Sequence, residues 1–169
     1  MISEQKTYKK GDWIVHIFYG LGQVIGKDKR ELDGEKQGYL KVKTDDSLYW
    51  IPVANIDFNR VRPIASINQI KYAFTLVQKP PKKLAKDYIA RKKEISQTLN
   101  NVSLYSNVRL IRDLKGRSAA SKSNMNDDNV LTNITQQFLN ECFLVMDEDH
   151  KFIENKLTNA LRKSMEKAS

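Results

Sequence analysis

The sequence is poor in the residues that disulfide frameworks and metal sites require. Its 169 residues include one cysteine, Cys142, and two histidines, His16 and His150. A single thiol excludes an internal disulfide and is typical of a reducing compartment. Neither histidine has a second ligand at the spacing of a metal site, and Cys142 falls on an apolar helical stripe, which predicts a buried side chain. We therefore expect no metal and no cofactor.

Long apolar runs and sets of catalytic residues are also missing. The sequence has no apolar run of the length of about 18 residues that a membrane span needs, and the first residues lack the apolar stretch of a signal peptide. The segment Gly20–Gly22 lacks the third glycine of a dinucleotide-binding loop. No nucleophile and base are recognisable as a set. We expect a cytoplasmic protein that is not an enzyme and does not bind membranes.

Positive charge is concentrated in the middle third of the chain. Residues 67–122 carry 13 Lys/Arg against 3 Asp/Glu, a net charge of +10. Residues 1–66 carry 11 against 9 and residues 123–169 carry 5 against 8, which gives +2 and −3. Positive charge concentrated between such flanks is typical of a surface that binds phosphates. A solvated, lysine-rich helix face is the alternative.

The first part of the chain has the pattern of short strands. Five runs are apolar or alternate apolar and polar residues: 13–18, 23–29, 38–43, 48–53 and 61–63. Asp33-Gly34 predicts a tight turn between the second and third. Five short strands in this length predict a small SH3-like or Tudor-like β-barrel. Pro52 lacks an N–H and predicts an edge strand or the end of a strand.

From Ser66 onward the spacing of apolar residues becomes helical, and Ser66 is a candidate N-cap. Three helices are predicted at 67–76, 82–99 and 104–114. A loop is predicted at 118–126, followed by a long helix capped by Asp127 or Asp128 and a last helix capped by Asp149. The sequence thus predicts an α+β protein: a five-stranded barrel in residues 1–65 and a compact bundle of about five α-helices in residues 66–169.

Several motifs resemble those of one protein family. The barrel motifs are Tyr8–His16 (YKKGDWIVH), Tyr19–Val24 (YGLGQV), Tyr39–Val42 (YLKV), Ile51–Val53 (IPV) and Val61–Ile64 (VRPI). They resemble the CarD/CdnL family of bacterial RNA polymerase-binding transcription regulators, and also the polymerase-interacting domain of transcription-repair coupling factors. The segments Tyr88–Ile95, Leu110–Leu114 and Phe138–Glu141 are similar to the helical domain of CarD proteins. The coupling factor carries helicase motors, and the absence of a phosphate-binding loop favours the CarD-like interpretation.

The resemblance implies that the barrel binds the β subunit of RNA polymerase, partly by pairing at a strand edge. The residues expected to bind polymerase are Arg30, Tyr49, Trp50, Ile51 and Pro52. Arg30 is expected to follow the second strand, at the position of a polymerase-contacting arginine. Trp50 stands where some relatives have a second interface arginine. It is either an interface anchor, a role in which large aromatic residues are common, or a core residue.

The resemblance also implies that the helical domain contacts promoter DNA at the upstream edge of the bubble and stabilises the open complex. Tyr88 stands where relatives often have a tryptophan that wedges against the minor groove, and its smaller ring predicts a weaker wedge. Packing of Tyr88 between two helices is the alternative. The other residues expected to bind DNA are Lys82, Lys83, Lys86, Arg91, Lys92, Lys93 and Lys122. Such cations hold the backbone without reading sequence.

The sequence therefore predicts a monomeric, non-enzymatic transcription regulator. Its expected partners are the RNA polymerase β subunit and promoter DNA, the latter bound mostly through its backbone and minor groove. An RNA- or ribosome-binding module that uses the basic helices is the alternative function.

Overall fold

The N-terminal unit is an antiparallel β-sheet, seen in a computed structural model that describes residues 7–54 and 56–168. Its strands are β1 (Trp13–His16), β2 (Gly20–Leu32), β3 (Glu35–Lys43), β4 (Leu48–Pro52) and β5 (Val61–Pro63). They lie in the order β4-β3-β2-β1-β5. The chain divides into two units between Ile64 and Ala65, and all helices of the described residues follow that point. The predicted α+β class, with five N-terminal strands, is confirmed.

The sheet is open, whereas the sequence predicted a barrel. Within the described residues no ladder joins β4 to β5, so each forms an edge. β5 has three residues and ends at Pro63, which has no N–H to donate to a further strand. A side-chain contact connects the β1–β2 turn with β4 on the core face of the sheet. The ring of Tyr19, in that turn, stacks on the ring of Tyr49 of β4 with centroids 4.1 Å apart.

The β2–β3 hairpin turns at Asp33-Gly34, as predicted. Both residues have positive φ, 53° and 82°, as the two-residue turn of type I′ requires. The turn sets a register in which Leu32 pairs with Glu35 and Arg30 pairs with Gln37. Arg30 therefore lies within β2, and the expectation that it follows the strand was wrong, because the outer part of this hairpin is polar and carries no hydrophobic signal.

The core of the sheet lies on one of its two faces. Its buried apolar side chains are Tyr8, Ile14, Val24, Leu40, Val42, Tyr49, Ile51 and Val61. Close packing at the centre depends on a glycine: a Cβ at Gly22 would lie 2.8 Å from Cγ1 of Val42. The strands β2 and β3 can approach this closely because residue 22 has no side chain.

The C-terminal unit is a bundle of five helices within the described residues. They are α1 (Ile67–Val77), α2 (Tyr88–Leu99), α3 (Leu104–Ala119), α4 (Met125–Val145) and α5 (His150–Glu166). Ser66 caps α1 as predicted, accepting a hydrogen bond from the N–H of Gln69. Cys142 is fully buried in the bundle core, also as predicted. Burial raises the pKa of its thiol to about 12.

Two helix starts differ from the prediction. α2 begins at Tyr88 rather than Lys82, because the carboxylate of Asp87 caps it by accepting from the N–H of Ala90 at 2.8 Å. α4 begins at Met125, and its N-cap is Asn124 rather than Asp127 or Asp128. Each start is fixed by a side chain that accepts a hydrogen bond from the first turn. Asp87 is the single residue of 79–87 with a capping side chain, whereas several residues before α4 have one.

Candidate functional site

Trp50 lies on the face of the sheet opposite the core. Its indole Nε1 donates to Oδ2 of Asp28 at 2.7 Å. The guanidinium carbon of Arg30 lies 3.9 Å from the ring centroid, and the ammonium of Lys41 lies 5.9 Å from it. These four residues form what we call the Trp50 platform. They bring the predicted residues Arg30 and Trp50 together, and the interpretation of Trp50 as a core residue was wrong.

Strand β4 forms an open edge next to the platform. It pairs with β3, from Lys43↔Leu48 to Tyr39↔Pro52, and with no second strand of the described residues. Alternate N–H and C=O groups of such an edge point outward and can pair with a strand of another protein. Pro52 ends β4, as its missing N–H predicted.

Two residues expected to contact polymerase face the wrong way for side-chain contact. Tyr49 and Ile51 are each 7% exposed and belong to the core of the sheet. Burial raises the pKa of the Tyr49 hydroxyl, and the neighbouring Tyr19 raises it further. These residues can offer a partner their backbone alone, since successive side chains of a strand point to opposite faces.

An aromatic cluster at the β1–β2 turn was missed by the sequence analysis. Nδ1 of His16 accepts hydrogen bonds from the N–H groups of Phe18 and Tyr19, at 3.0 and 3.3 Å. Desolvation lowers the pKa of His16, and the nearby charge of Arg60 lowers it further. The neutral imidazole therefore holds the turn that carries Tyr19 onto β4.

The folded sheet should lose stability as the pH falls from about 7 to 5. The unfolded chain binds a proton on His16 below its ordinary pKa of 6.5, whereas the folded state resists protonation because Nδ1 is an acceptor. Urea unfolding at both pH values, followed by tryptophan fluorescence, measures the loss. In His16→Asn, which keeps a side-chain acceptor but does not titrate, the pH dependence should shrink. An unchanged pH dependence would contradict this account.

In the helical unit, residues 79–87 form a non-helical stretch that we call the basic segment. Lys82, Lys83 and Lys86 are exposed on it and do not lie on the helix of Tyr88, contrary to the prediction. Lys92 and Lys93 are exposed on α2. Lys122 is exposed between α3 and α4. These six cations are accessible to a polyanion.

Arg91 is buried and cannot contact DNA, contrary to the prediction. It is 3% exposed, and its Nε donates to Oδ1 of Asp127 at 3.2 Å. One of its terminal nitrogens donates to the carbonyl oxygens of Ala85 and Lys86, at 3.1 and 2.9 Å. The charged group of Arg91 therefore points into the bundle. Its partner Asp127 lies 36 residues away in the sequence, so the spacing of residues within α2 does not indicate the pair.

Tyr88 stands at the first turn of α2 and is 45% exposed. The alternative that it is packed between two helices was therefore wrong. Its neighbour Ile89 is 77% exposed and was not singled out from the sequence. Tyr88 and Ile89 together form an exposed apolar pair beside exposed lysines.

Other kinds of site find no support among the described residues. They contain no group of three or more His, Cys, Asp or Glu side chains that could hold a metal ion. None of their helices is long and apolar enough to cross a membrane.

An open sheet with an unpaired edge and an aromatic platform is typical of a protein-interaction domain. More particularly, residues 8–65 match the family model of the CarD-like/TRCF RID domain. The match covers all five strands and ends before α1. It supports the assignment of this unit as an RNA polymerase-interacting domain, which is not a catalytic type of domain. No curated protein matches the chain.

Proposed function

We propose that this protein is a CarD-like transcription regulator that binds the β subunit of RNA polymerase and stabilises the promoter open complex. The observation that carries the proposal is the match of residues 8–65 to an RNA polymerase-interacting domain. The protein acts in the cytoplasm as a monomer and without catalysis. Residues 1–65 form the polymerase-binding domain and residues 66–169 the DNA-contacting domain.

The polymerase interface consists of the β4 edge and the Trp50 platform. The edge offers main-chain hydrogen bonds to a strand of the β subunit, and the platform gives that pairing specificity. Arg30 and Trp50 present side chains, Pro52 marks the end of the strand, and Tyr49 and Ile51 contribute backbone. A stacked aromatic and arginine pair is the type of residue set that dominates binding energy in interfaces.

The DNA interface consists of Tyr88, Ile89 and six exposed lysines. The lysines are Lys82, Lys83, Lys86, Lys92, Lys93 and Lys122, and they contact phosphates, which positions the protein without reading sequence. Tyr88 and Ile89 support the opening of a base step at the bubble edge, where the DNA is already partly unstacked. Binding to free DNA should be weak and should fall steeply with salt concentration.

The lifetime of open complexes on a promoter fragment, challenged with a competitor polyanion, tests this function. The full chain should lengthen the lifetime, because it binds the melted state more tightly than the closed one. A chain that does not bind RNA polymerase would overturn the proposal. Binding to RNA with no effect on the open complex would favour the RNA-binding alternative.

Tyr88→Ala should shorten the lifetime of the open complex by about 5- to 10-fold relative to the wild-type chain, because it removes the aromatic part of the wedge. Affinity for polymerase should stay within about twofold. Tyr72→Ala is the matched control, since Tyr72 is a tyrosine of α1 that is 51% exposed. Equal lifetimes for the two variants would show that Tyr88 is not a wedge.

A further inference from the structure

The basic segment is not helical, yet its backbone is held at several points. The N–H of Lys82 donates to Oδ1 of Asp113 on α3 at 2.8 Å. The N–H of Ala85 donates to Oε2 of Glu94 on α2 at 3.0 Å. Nε of Arg112 also donates to Oδ1 of Asp113, at 2.7 Å, which fixes that carboxylate. A segment held in this way has a defined backbone despite its lack of regular structure.

Arg91 holds the same segment from the interior. Its terminal nitrogen reaches the carbonyl oxygens of Ala85 and Lys86, the two residues that precede the α2 N-cap. Its Nε donates a hydrogen bond to the carboxylate of Asp127, and that carboxylate also accepts a hydrogen bond from Nε of Arg117 at 3.2 Å. Arg91 thus connects the basic segment to α4, and through Asp127 to α3.

A steric contact fixes the other half of the segment. A Cβ at Gly116 of α3 would lie 2.7 Å from Cβ and 3.0 Å from Cγ of Pro81. Pro81 rests against α3 because residue 116 has no side chain. The ring of Pro81 fixes φ of this residue, so seating the ring against α3 constrains the backbone just before Lys82.

We propose that Arg91 is a positioning residue for the DNA interface, and that Gly116 assists it by seating Pro81. Arg91 does not touch DNA; it fixes the backbone from which Lys86 and Tyr88 project. A contact surface that is formed before binding loses less conformational entropy on binding than a flexible one. The inference rests on the proposed function and assigns to the buried arginine a role that its charge alone does not indicate.

Four full-length variants, one of them a control, test the proposal. Arg91→Gln removes the fork that reaches the two carbonyls and Asp127. Gly116→Ala displaces Pro81 while it raises helix propensity, and therefore affects the segment more than the stability of the bundle. Ile153→Val is the control, since Ile153 is fully buried in the helical core and the loss of its methylene lowers stability without removing any of the groups described above as holding the segment. Amide hydrogen exchange and open-complex lifetime are measured for each, at saturating protein.

Arg91→Gln should speed exchange of the amide of Ala85 by at least about tenfold, since local opening of the segment becomes easier. Arg91→Gln and Gly116→Ala should shorten the lifetime at least about threefold, with affinity for polymerase retained. Arg91→Lys keeps the charge but cannot form the fork, so it should restore little of the lifetime. Ile153→Val should retain the wild-type lifetime.

The outcomes separate this inference from the proposed function. A wild-type chain that leaves the open complex unchanged would overturn the proposed function and this inference with it. A wild-type chain that extends the lifetime, with Arg91→Gln and Gly116→Ala indistinguishable from Ile153→Val, would overturn the positioning role alone. Full rescue by Arg91→Lys would also overturn it, because charge and not the fork would then be responsible.

Discussion

Asp127→Ala should lower the free energy of unfolding of the helical unit by about 3–5 kcal/mol, the cost of leaving a buried ion pair without one partner. The carboxylate of Asp127 is 2% exposed and pairs with Arg91 and Arg117, whose side chains are 4% and 14% exposed. Its loss leaves the buried guanidinium of Arg91 and the largely buried one of Arg117 without their carboxylate. It also removes the acceptor for the N–H of Asn124, the N-cap of α4.

Urea unfolding followed by circular dichroism at the helix band measures this loss, since the helices of the described residues all lie in the C-terminal unit. Asp128→Ala is the matched control. Asp128 is the next residue, also in the first turn of α4, and it is exposed. Its removal should cost no more than about 1 kcal/mol, from its interaction with the helix dipole. Equal shifts in the two variants would show that the buried network contributes little.

Trp50→Ala should weaken binding to RNA polymerase by at least about 2 kcal/mol, roughly 30-fold in Kd, as truncation of a central interface tryptophan does. The change removes the largest side chain of the platform and leaves Arg30 without the ring that holds it. Asp28 also loses its indole donor. The core of the sheet is untouched, because Trp50 projects from the opposite face, and the variant should remain folded.

Affinity is measured by titration of the full chain against polymerase, at a fixed salt concentration. Phe152→Ala is the control, since Phe152 is an aromatic residue of α5 that is 51% exposed. It should bind polymerase as the wild-type chain does. If Trp50→Ala retains wild-type affinity, the platform is not part of the interface and the β4 edge alone must be tested.

The features that the sequence predicted correctly are those fixed by neighbouring residues. Asp33-Gly34 determines its own turn through positive φ, and Ser66 caps the helix that follows it. Cys142 is buried because its position on an apolar helical stripe faces the bundle. In each of these places the local pattern and the tertiary packing favour the same structure.

The features that it predicted wrongly depend on distant partners. Arg91 was expected to bind DNA, but it donates hydrogen bonds to Asp127 and two carbonyl oxygens in the interior. Closure of a barrel requires pairing between the first and last strands of the sheet order, which no local pattern describes. Tyr49 and Ile51 were grouped with Trp50 by motif, although the alternation of a strand places them on the other face.

Because Cys142 is buried, the reactivity of its thiol reports the opening of α4. With a pKa of about 12 and no exposure, the thiol has almost no reactive thiolate while the bundle is intact. Alkylating reagents should therefore modify the chain only when α4 opens, at the opening rate where labelling is faster than reclosing. The sequence holds a single cysteine, so the mass increase of the chain comes from Cys142 alone. The modified fraction, measured over time by mass spectrometry, would therefore report the opening of α4.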